Sequence, residues 1–305
     1  LATSLVNLPG MTLEQLRIFV AVAERQHVTR AAEVLRLSQS AVSSAVSAIE
    51  TRFATRLFDR VGRRIELTDA GRIFLAEARA VLVRAASAEA VLTDLAGLRL
   101  GTLRVQASQT IASHWLPRHL VSFRRRFPDI TVSLAIGNTA EVAAAVLEGV
   151  AELGFVEGTV EDPALASLDV AQDELVLVTA PGHALASIGS VSSRNLATTD
   201  WVMREVGSGT RSAFEAALAP GGIDPASLRV VLEMPSNEAV RAAVEAGAGA
   251  SVLSRSVVAP ALQAGTLVAA NYTLPTRAFR VLRHKERYRT RAGEALLALI
   301  GEATP

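Results

Sequence analysis

The chain has 305 residues, half of them hydrophobic, and its 31 basic and 30 acidic side chains leave a formal charge of only +1. That length supports two or three domains with cores of their own, and the even balance means that affinity for nucleic acid must come from a local basic patch. The absence of cysteine excludes disulfides, thiolate chemistry and cysteine-ligated zinc; with no basic leader and no uncharged apolar run of about 18 residues, the expectation is a cytoplasmic protein without membrane contact.

Residues 1–10 carry no charge and no periodicity and read as an upstream extension, with the structured chain beginning near Met11. Over residues 13–24, Leu16, Phe19, Val20 and Ala23 share one face of a predicted helix. Residues 28–50 read as two short helices joined by a tight polar turn. Ala31, Ala32 and Leu35 form the apolar stripe of the first, and Val42, Val46 and Ile49 that of the second. Ser38 stands where an N-cap is wanted. Gln39, Ser40, Ser43, Ser44 and Ser47 fall on the outer face, and short neutral hydrogen-bonding groups of this kind suit the base edges of a major groove. An ordinary surface helix of a bundle would show the same pattern.

Residues 52–64 hold Arg52, Arg56, Arg60, Arg63 and Arg64 against the single acid Asp59, and the turn at 61–64 precedes Ile65 to Thr68. This predicts a β-hairpin wing whose tip arginines lie on phosphates and fix register without reading sequence; a solvated charge cluster is the alternative. Residues 11–68 together predict a winged helix-turn-helix. Residues 69–98 predict one long alanine-rich helix, with Phe74, Ala78, Val81, Ala85, Ala88, Leu92 and Leu95 at alternating spacings of four and three. That is the seam of a short coiled coil, which implies a homodimer on a partly palindromic DNA site, although a helix buried in its own domain would also fit.

From residue 101 the texture becomes α/β. Strands are predicted at 103–106, 131–136, 153–156, 175–180, 230–232, 250–253 and 279–283, and helices at 113–127, 139–149, 209–219, 236–247 and 290–302. Such alternation predicts parallel sheets with crossover helices. Its length favours two Rossmann-like lobes, 101–171 with 272–305 and 172–271, connected near residues 170 and 272 around a ligand cleft.

This order of parts resembles the LysR-type transcriptional regulators, whose C-terminal subdomains are like those of periplasmic binding proteins. The resemblance covers the chain from Met11. It rests on Leu13-Glu14-Gln15-Leu16-Arg17-Ile18-Phe19, Ala31-Ala32, Leu37-Ser38-Gln39-Ser40-Ala41-Val42-Ser43, Leu57-Phe58-Asp59-Arg60 and Leu67-Thr68-Asp69-Ala70-Gly71. It implies a ligand-responsive regulator that binds double-stranded DNA as a homodimer or homotetramer. The family commonly has arginine and then glutamine after the serine matching Ser43, where this chain has Ser44 and Ala45. Base readout is therefore expected from Gln39, Ser40 and Ser43, with Ser38 and Ser44 beside them and Thr29, Arg30, Arg63 and Arg64 on phosphates.

Two segments are expected to line the effector cleft. Ser108 and Thr110 lie between a strand and a helix, and residues 204–211, Arg-Glu-Val-Gly-Ser-Gly-Thr-Arg, bring Ser208, Gly209 and Thr210 to another helix start. Helix N-termini favour anions. Asn138, Thr139, Ser236 and Asn237 are further candidates, and a merely structural glycine turn is the alternative. No GK[ST] or dinucleotide fingerprint is present. The two segments resemble the family's subgroup controlling carbon fixation or sulfur assimilation, which implies a phosphorylated metabolite or an oxyanion such as sulfite. The rival readings are an anion-metabolising enzyme and a solute-binding protein with a helical appendage. Against an enzyme, the five histidines are scattered and no HExxH or GxSxG occurs, so no catalytic residue, metal or cofactor is expected.

Overall fold

The computed structural model describes residues 10–61, 64–95 and 101–302. The predicted extension up to residue 9, the wing residue Arg63 and residues 96–98 of the predicted long helix lie outside the described residues. The chain forms two compact units, one ending at Leu92 and one beginning at Thr93.

In the first unit α1 (Leu13–Arg25) starts from a capping box between Thr12 and Gln15. Helices α2 (Val28–Leu35) and α3 (Gln39–Phe53) follow. Ser38 caps α3, its hydroxyl accepting from the Ala41 amide at 3.1 Å. Ala31 and Ala32 are buried against Ile18, Val22, Val42 and Val46, so the small side chains do let these helices approach closely. The hairpin β1 (Phe58–Val61) and β2 (Arg64–Leu67) is antiparallel, with Phe58 opposite Leu67. Glu50 Oε1 fixes the approach to it by accepting from the amides of Leu57 and Phe58 at 2.8 and 3.1 Å.

Helix α4 (Asp69–Leu95) corrects the simple seam expected of it. Phe74 lies 4.7 Å from Phe19, ring to ring, and Ala78 is buried in the same cluster with Leu16 and Ile49. These two positions complete the core of their own unit, whereas Val81 and Leu92 of the same heptad series are exposed. A seven-residue repeat cannot show which partner each apolar position meets.

The second unit begins with β3 (Gly101–Ser108), a π-helical turn over Ile111–Trp115 and α5 (Leu116–Arg126). Then come β4 (Ile130–Gly137), α6 (Thr139–Glu148), β5 (Leu153–Val156), β6 (Leu165–Asp173) and β7 (Leu175–Thr179). The chain continues through α7 (Ser193–Thr198), β8 (Asp200–Arg204), α8 (Gly209–Leu218), β9 (Arg229–Met234) and α9 (Asn237–Glu245). It ends with β10 (Ser251–Ser254), α10 (Arg255–Ala264), β11 (Val268–Ala269), β12 (Arg277–His284) and α11 (Arg291–Glu302).

Both lobes of this unit have the same strand plan. One sheet has the order β4-β3-β5-β12-β6. In the other, the β8–β9 ladder joins β10 through a bridge from Trp201 to Ala250, and β10 continues to β7 and β11. The expectation of purely parallel sheets is corrected. β3 runs parallel to β4 and β5, and β8 parallel to β9, but β12 and β7 run antiparallel to their neighbours. Each of these two strands enters its sheet straight from a lobe crossover instead of through a helix, so no βαβ unit sets its direction. The short β8 and β11 and the charge-interrupted β6 were not expected from the pattern, and neither was α10, which accommodates Pro260 within its span.

Two expectations test local physics. Ala54, which ends α3, has φ of 46°, in the left-handed region. Ala54→Gly is expected to stabilise the first unit by about 0.5–1 kcal/mol, read from native-state hydrogen exchange of the Val46 amide. His119 is only 3 % exposed, stacks on Trp115 and accepts a hydrogen bond from Arg118 Nε; burial, then the charge of Arg118, lowers its pKa. The folded state thus resists protonation more than the unfolded chain. Stability of the second unit is full above the ordinary histidine pKa of about 6.5 and falls as pH drops from there through the lowered value. His119→Gln is expected to flatten this acid limb in denaturation curves, leaving the contribution of His183, whose pKa burial also lowers.

Candidate functional site

The first unit presents α3 as a polar face on an apolar back. Ser38, Gln39, Ser40, Ser43 and Ser44 are exposed, as are Thr29 and Arg30 at the start of α2. The hydroxyls of Ser38 and Ser40 lie 3.0 Å apart, so these two are partly committed to the helix start. The side chains of Gln39, Ser43, Ser44 and Thr29 and the guanidinium of Arg30 make no hydrogen bond or ion pair among the described residues. Arg64 belongs to the wing strand β2 by its backbone.

In the second unit the sequence-predicted residues lie where the parallel strands end. Ser108 ends β3 and Thr110 follows it, Asn138 follows β4, Ser208, Gly209 and Thr210 open α8 after β8, and Ser236 precedes α9 after β9. Loops at the carboxyl ends of parallel strands are where α/β sheets bind ligands. The two lobes meet there closely. A Cβ built on Gly209 would lie 2.6 Å from Thr139 Oγ1 and 2.8 Å from the Gly158 amide nitrogen, and one on Gly207 would lie 3.2 Å from Asn138 Oδ1.

The side chains divide into capped, tied and unpartnered groups. Asn138 and Ser236 cap α6 and α9, accepting from the amides of Glu141 and Ala239 at 3.0 Å each. Thr110 Oγ1 accepts from Asn237 Nδ2 at 3.0 Å, and Thr210 Oγ1 from Arg277 Nη1 at 3.1 Å. Ser208 is buried at the N-cap of α8 without making a capping bond. Ser108 Oγ and Thr139 Oγ1 are buried and find no hydrogen-bond partner among the described residues. A buried hydroxyl left so costs about 1–3 kcal/mol, which a ligand could recover.

The sequence already offered Asn237 as a candidate and placed Arg204 and Glu205 in the segment before α8, but it carried no signal for how these residues connect the set. Asn237 is 1 % exposed and joins both lobes: its amide donates to Gln109 Oε1 at 2.6 Å, and its Oδ1 accepts from Arg204 Nη1 at 2.5 Å. Arg204 also forks onto Glu205 at 2.8 and 2.9 Å. Burial opposes ionisation of Glu205, but the hydrogen bonds and charge of Arg204, helped by Asn138, outweigh it and hold the carboxyl below its usual range. At the crossovers, buried Arg277 pairs with Asp173 at 2.7 Å, and Asp173 accepts from Ser254 Oγ at 2.6 Å. Asp173 and Arg277 stand opposite each other on β6 and β12 but 104 positions apart in the chain. No spacing rule could have paired them.

A family model described as the bacterial regulatory helix-turn-helix protein, lysR family, matches residues 13–72, and one described as the LysR substrate binding domain matches residues 96–305. The chain belongs to the LysR family. This LysR-type transcriptional regulator, with its effector-binding domain, is similar to "Uncharacterized HTH-type transcriptional regulator YeiE" of Escherichia coli K12, at 36 % identity over 87 % of this chain and 88 % of that one. It is 34 % identical to "Probable RuBisCO transcriptional regulator" of Cyanophora paradoxa, over 84 % of this chain and 80 % of the relative. Among solved structures, it is similar to the CcmR regulatory domain of Synechocystis PCC6803 in complex with 2-PG. That match has a TM-score of 0.61 and 27 % identity over 67 % of this chain and 97 % of that domain. These relatives are regulators, which sets aside the enzyme and solute-binding readings. No described helix is long and apolar enough to cross a membrane.

The glycine contact gives a direct expectation. Gly209→Ala is expected to destabilise the second unit by about 1–3 kcal/mol through overpacking against Thr139 and the Gly158 backbone. Gly182→Ala, where a Cβ would meet nothing within 4 Å, should shift stability by less than about 0.5 kcal/mol. Urea denaturation of the two variants side by side measures the difference.

Proposed function

We propose that this regulator couples a small anion or carboxylate, bound between the lobes, to the recognition of a partly palindromic promoter site in the cytoplasm. The effector set is Ser108, Thr110, Asn138, Ser208, Gly209, Thr210 and Ser236, extended by Thr139, Arg204 and Asn237. The observation that carries this is the pair of buried hydroxyls without a partner among the described residues, Ser108 at the end of β3 and Thr139 at the start of α6, with the Thr139 hydroxyl against the start of α8. Helix starts, hydroxyl donors and a guanidinium are anion-binding chemistry. The 2-PG in the CcmR regulatory domain supports the same class of ligand.

On DNA, Gln39, Ser40 and Ser43 read base edges with Ser38 and Ser44 beside them, while Thr29, Arg30, Arg63 and Arg64 hold phosphates. The working division of the chain is 11–68 for DNA, 69–98 for dimerisation and 101–305 for the effector, with lobe I at 101–171 and 272–305 and lobe II at 172–271. The exposed positions of the α4 seam, Val81, Ala88 and Leu92, support a homodimer, and a homotetramer follows if a second surface also associates. The bound ligand can act on DNA only through a preference for one lobe arrangement.

Fluorescence anisotropy with the intergenic DNA beside its own gene tests the reading. Wild type is expected to bind, and Gln39→Ala to lose about 1–3 kcal/mol of preference for that DNA over a scrambled duplex without a change in salt slope. Inorganic phosphate or sulfate is expected to shift the binding curve of wild type, with Ser108→Ala blunting the response. Absence of DNA binding at low salt, or a response to neither anion, would refute the coupling.

A further inference from the structure

The groups best suited to hold an anion in the cleft are already occupied by the protein itself. Gln109 Oε1, from the first lobe, accepts the Asn237 amide at the start of α9, at 2.6 Å. Asn237 Oδ1 accepts from Arg204 Nη1, and the remaining fork of Arg204 donates to both oxygens of Glu205. Glu205 Oε1 then accepts from Asn138 Nδ2 at 3.5 Å, back in the first lobe. The chain Gln109, Asn237, Arg204, Glu205, Asn138 thus starts and ends in one lobe and passes through the other.

Arg211, the nearby second guanidinium, donates to Glu215 and Glu233 and brings no unopposed charge. An arriving anion therefore meets an Arg204 already neutralised by a carboxylate, in a cleft whose strand ends also carry the buried hydroxyls of Ser108 and Thr139, which have no partner among the described residues. A carboxylate on a guanidinium and a carbonyl oxygen on a helix amide are the contacts that an anionic ligand would itself make.

We propose that Glu205 and Gln109 act as built-in stand-ins for the effector: they hold the lobes together without ligand, and an anion with at least two acceptor oxygens binds by displacing Glu205 from Arg204. This rests on the cleft being the effector site. It makes Glu205 a determinant of affinity and selectivity, because a ligand must offer Arg204 more than the intramolecular carboxylate does. Monodentate or neutral ligands cannot replace the fork. Each stand-in lowers the observed affinity by the fraction of molecules whose donors are taken.

Isothermal titration calorimetry of the full chain with inorganic phosphate and with sulfate tests this. Glu205→Gln keeps the shape and removes the competing charge, so both anions are expected to bind about tenfold more tightly than to wild type. Gln109→Ala, which frees the α9 amide without altering charge, is expected to gain about threefold. Glu233→Gln removes an exposed carboxylate from Arg211 and is expected to change affinity less than about twofold, which separates displacement from a general charge effect. Wild-type binding with no gain in Glu205→Gln or Gln109→Ala, or an equal gain in Glu233→Gln, would overturn the stand-in role and leave the cleft in place. Failure of wild type and all three variants to bind either anion would overturn both.

Discussion

The second unit depends on one requirement: Asn237, buried and polar, must have its groups paired. It does so by holding Gln109 and Thr110 of one lobe and Arg204 of the other. A buried amide with unmet donors is costly, and a network satisfied across two bodies ties their positions together. Separation of the lobes at this point must therefore expose Asn237 or give it new partners. In the reading proposed above, a ligand with acceptor oxygens would be one such partner.

A second buried tie stands at the crossovers. Arg277 and Asp173 pair where β12 and β6 begin and end, and the same guanidinium reaches Thr210 in the first turn of α8. Breaking such a pair by removing one partner leaves an uncompensated buried charge, a cost of about 3–5 kcal/mol. The crossover strands are thus tied to each other and to the start of α8. Thr210, expected from sequence to meet the ligand, serves this tie by accepting from Arg277, which leaves its proton and a second lone pair for other use.

The first unit divides its apolar surface in a similar way. Phe74 and Ala78 of α4 close the helix-turn-helix core, while Ile73 and Leu92, 71 % and 69 % exposed, face away from it. One helix therefore both stabilises the DNA-reading body and presents apolar surface beyond it. On the other side, α3 is anchored by Val42, Val46 and Ile49 and offers serines and a glutamine with little internal bonding beyond the cap. Ser44 is exposed on that outer face, whereas Ala45 turns inward and packs against the core.

Much of this was legible in the chain. The periodicity of 13–24 and 28–50, the N-cap at Ser38 and the strand and helix alternation after residue 101 are local properties, carried by residues within a few positions of one another, and α1, α3, β5, α6 and α8 formed close to where the pattern put them. The loops at strand ends were likewise readable, because helix starts with serine, threonine and glycine mark themselves. What the sequence determined by itself was the order of parts and the location of candidate donors. Only the tertiary structure decided strand direction at β7 and β12, which seam positions of α4 turn inward, and which donors are already taken. The reason is physical: pairings such as Asp173 with Arg277, or Gln109 with Asn237, join residues more than a hundred positions apart, and no local preference encodes a contact that exists only once two lobes have folded and met.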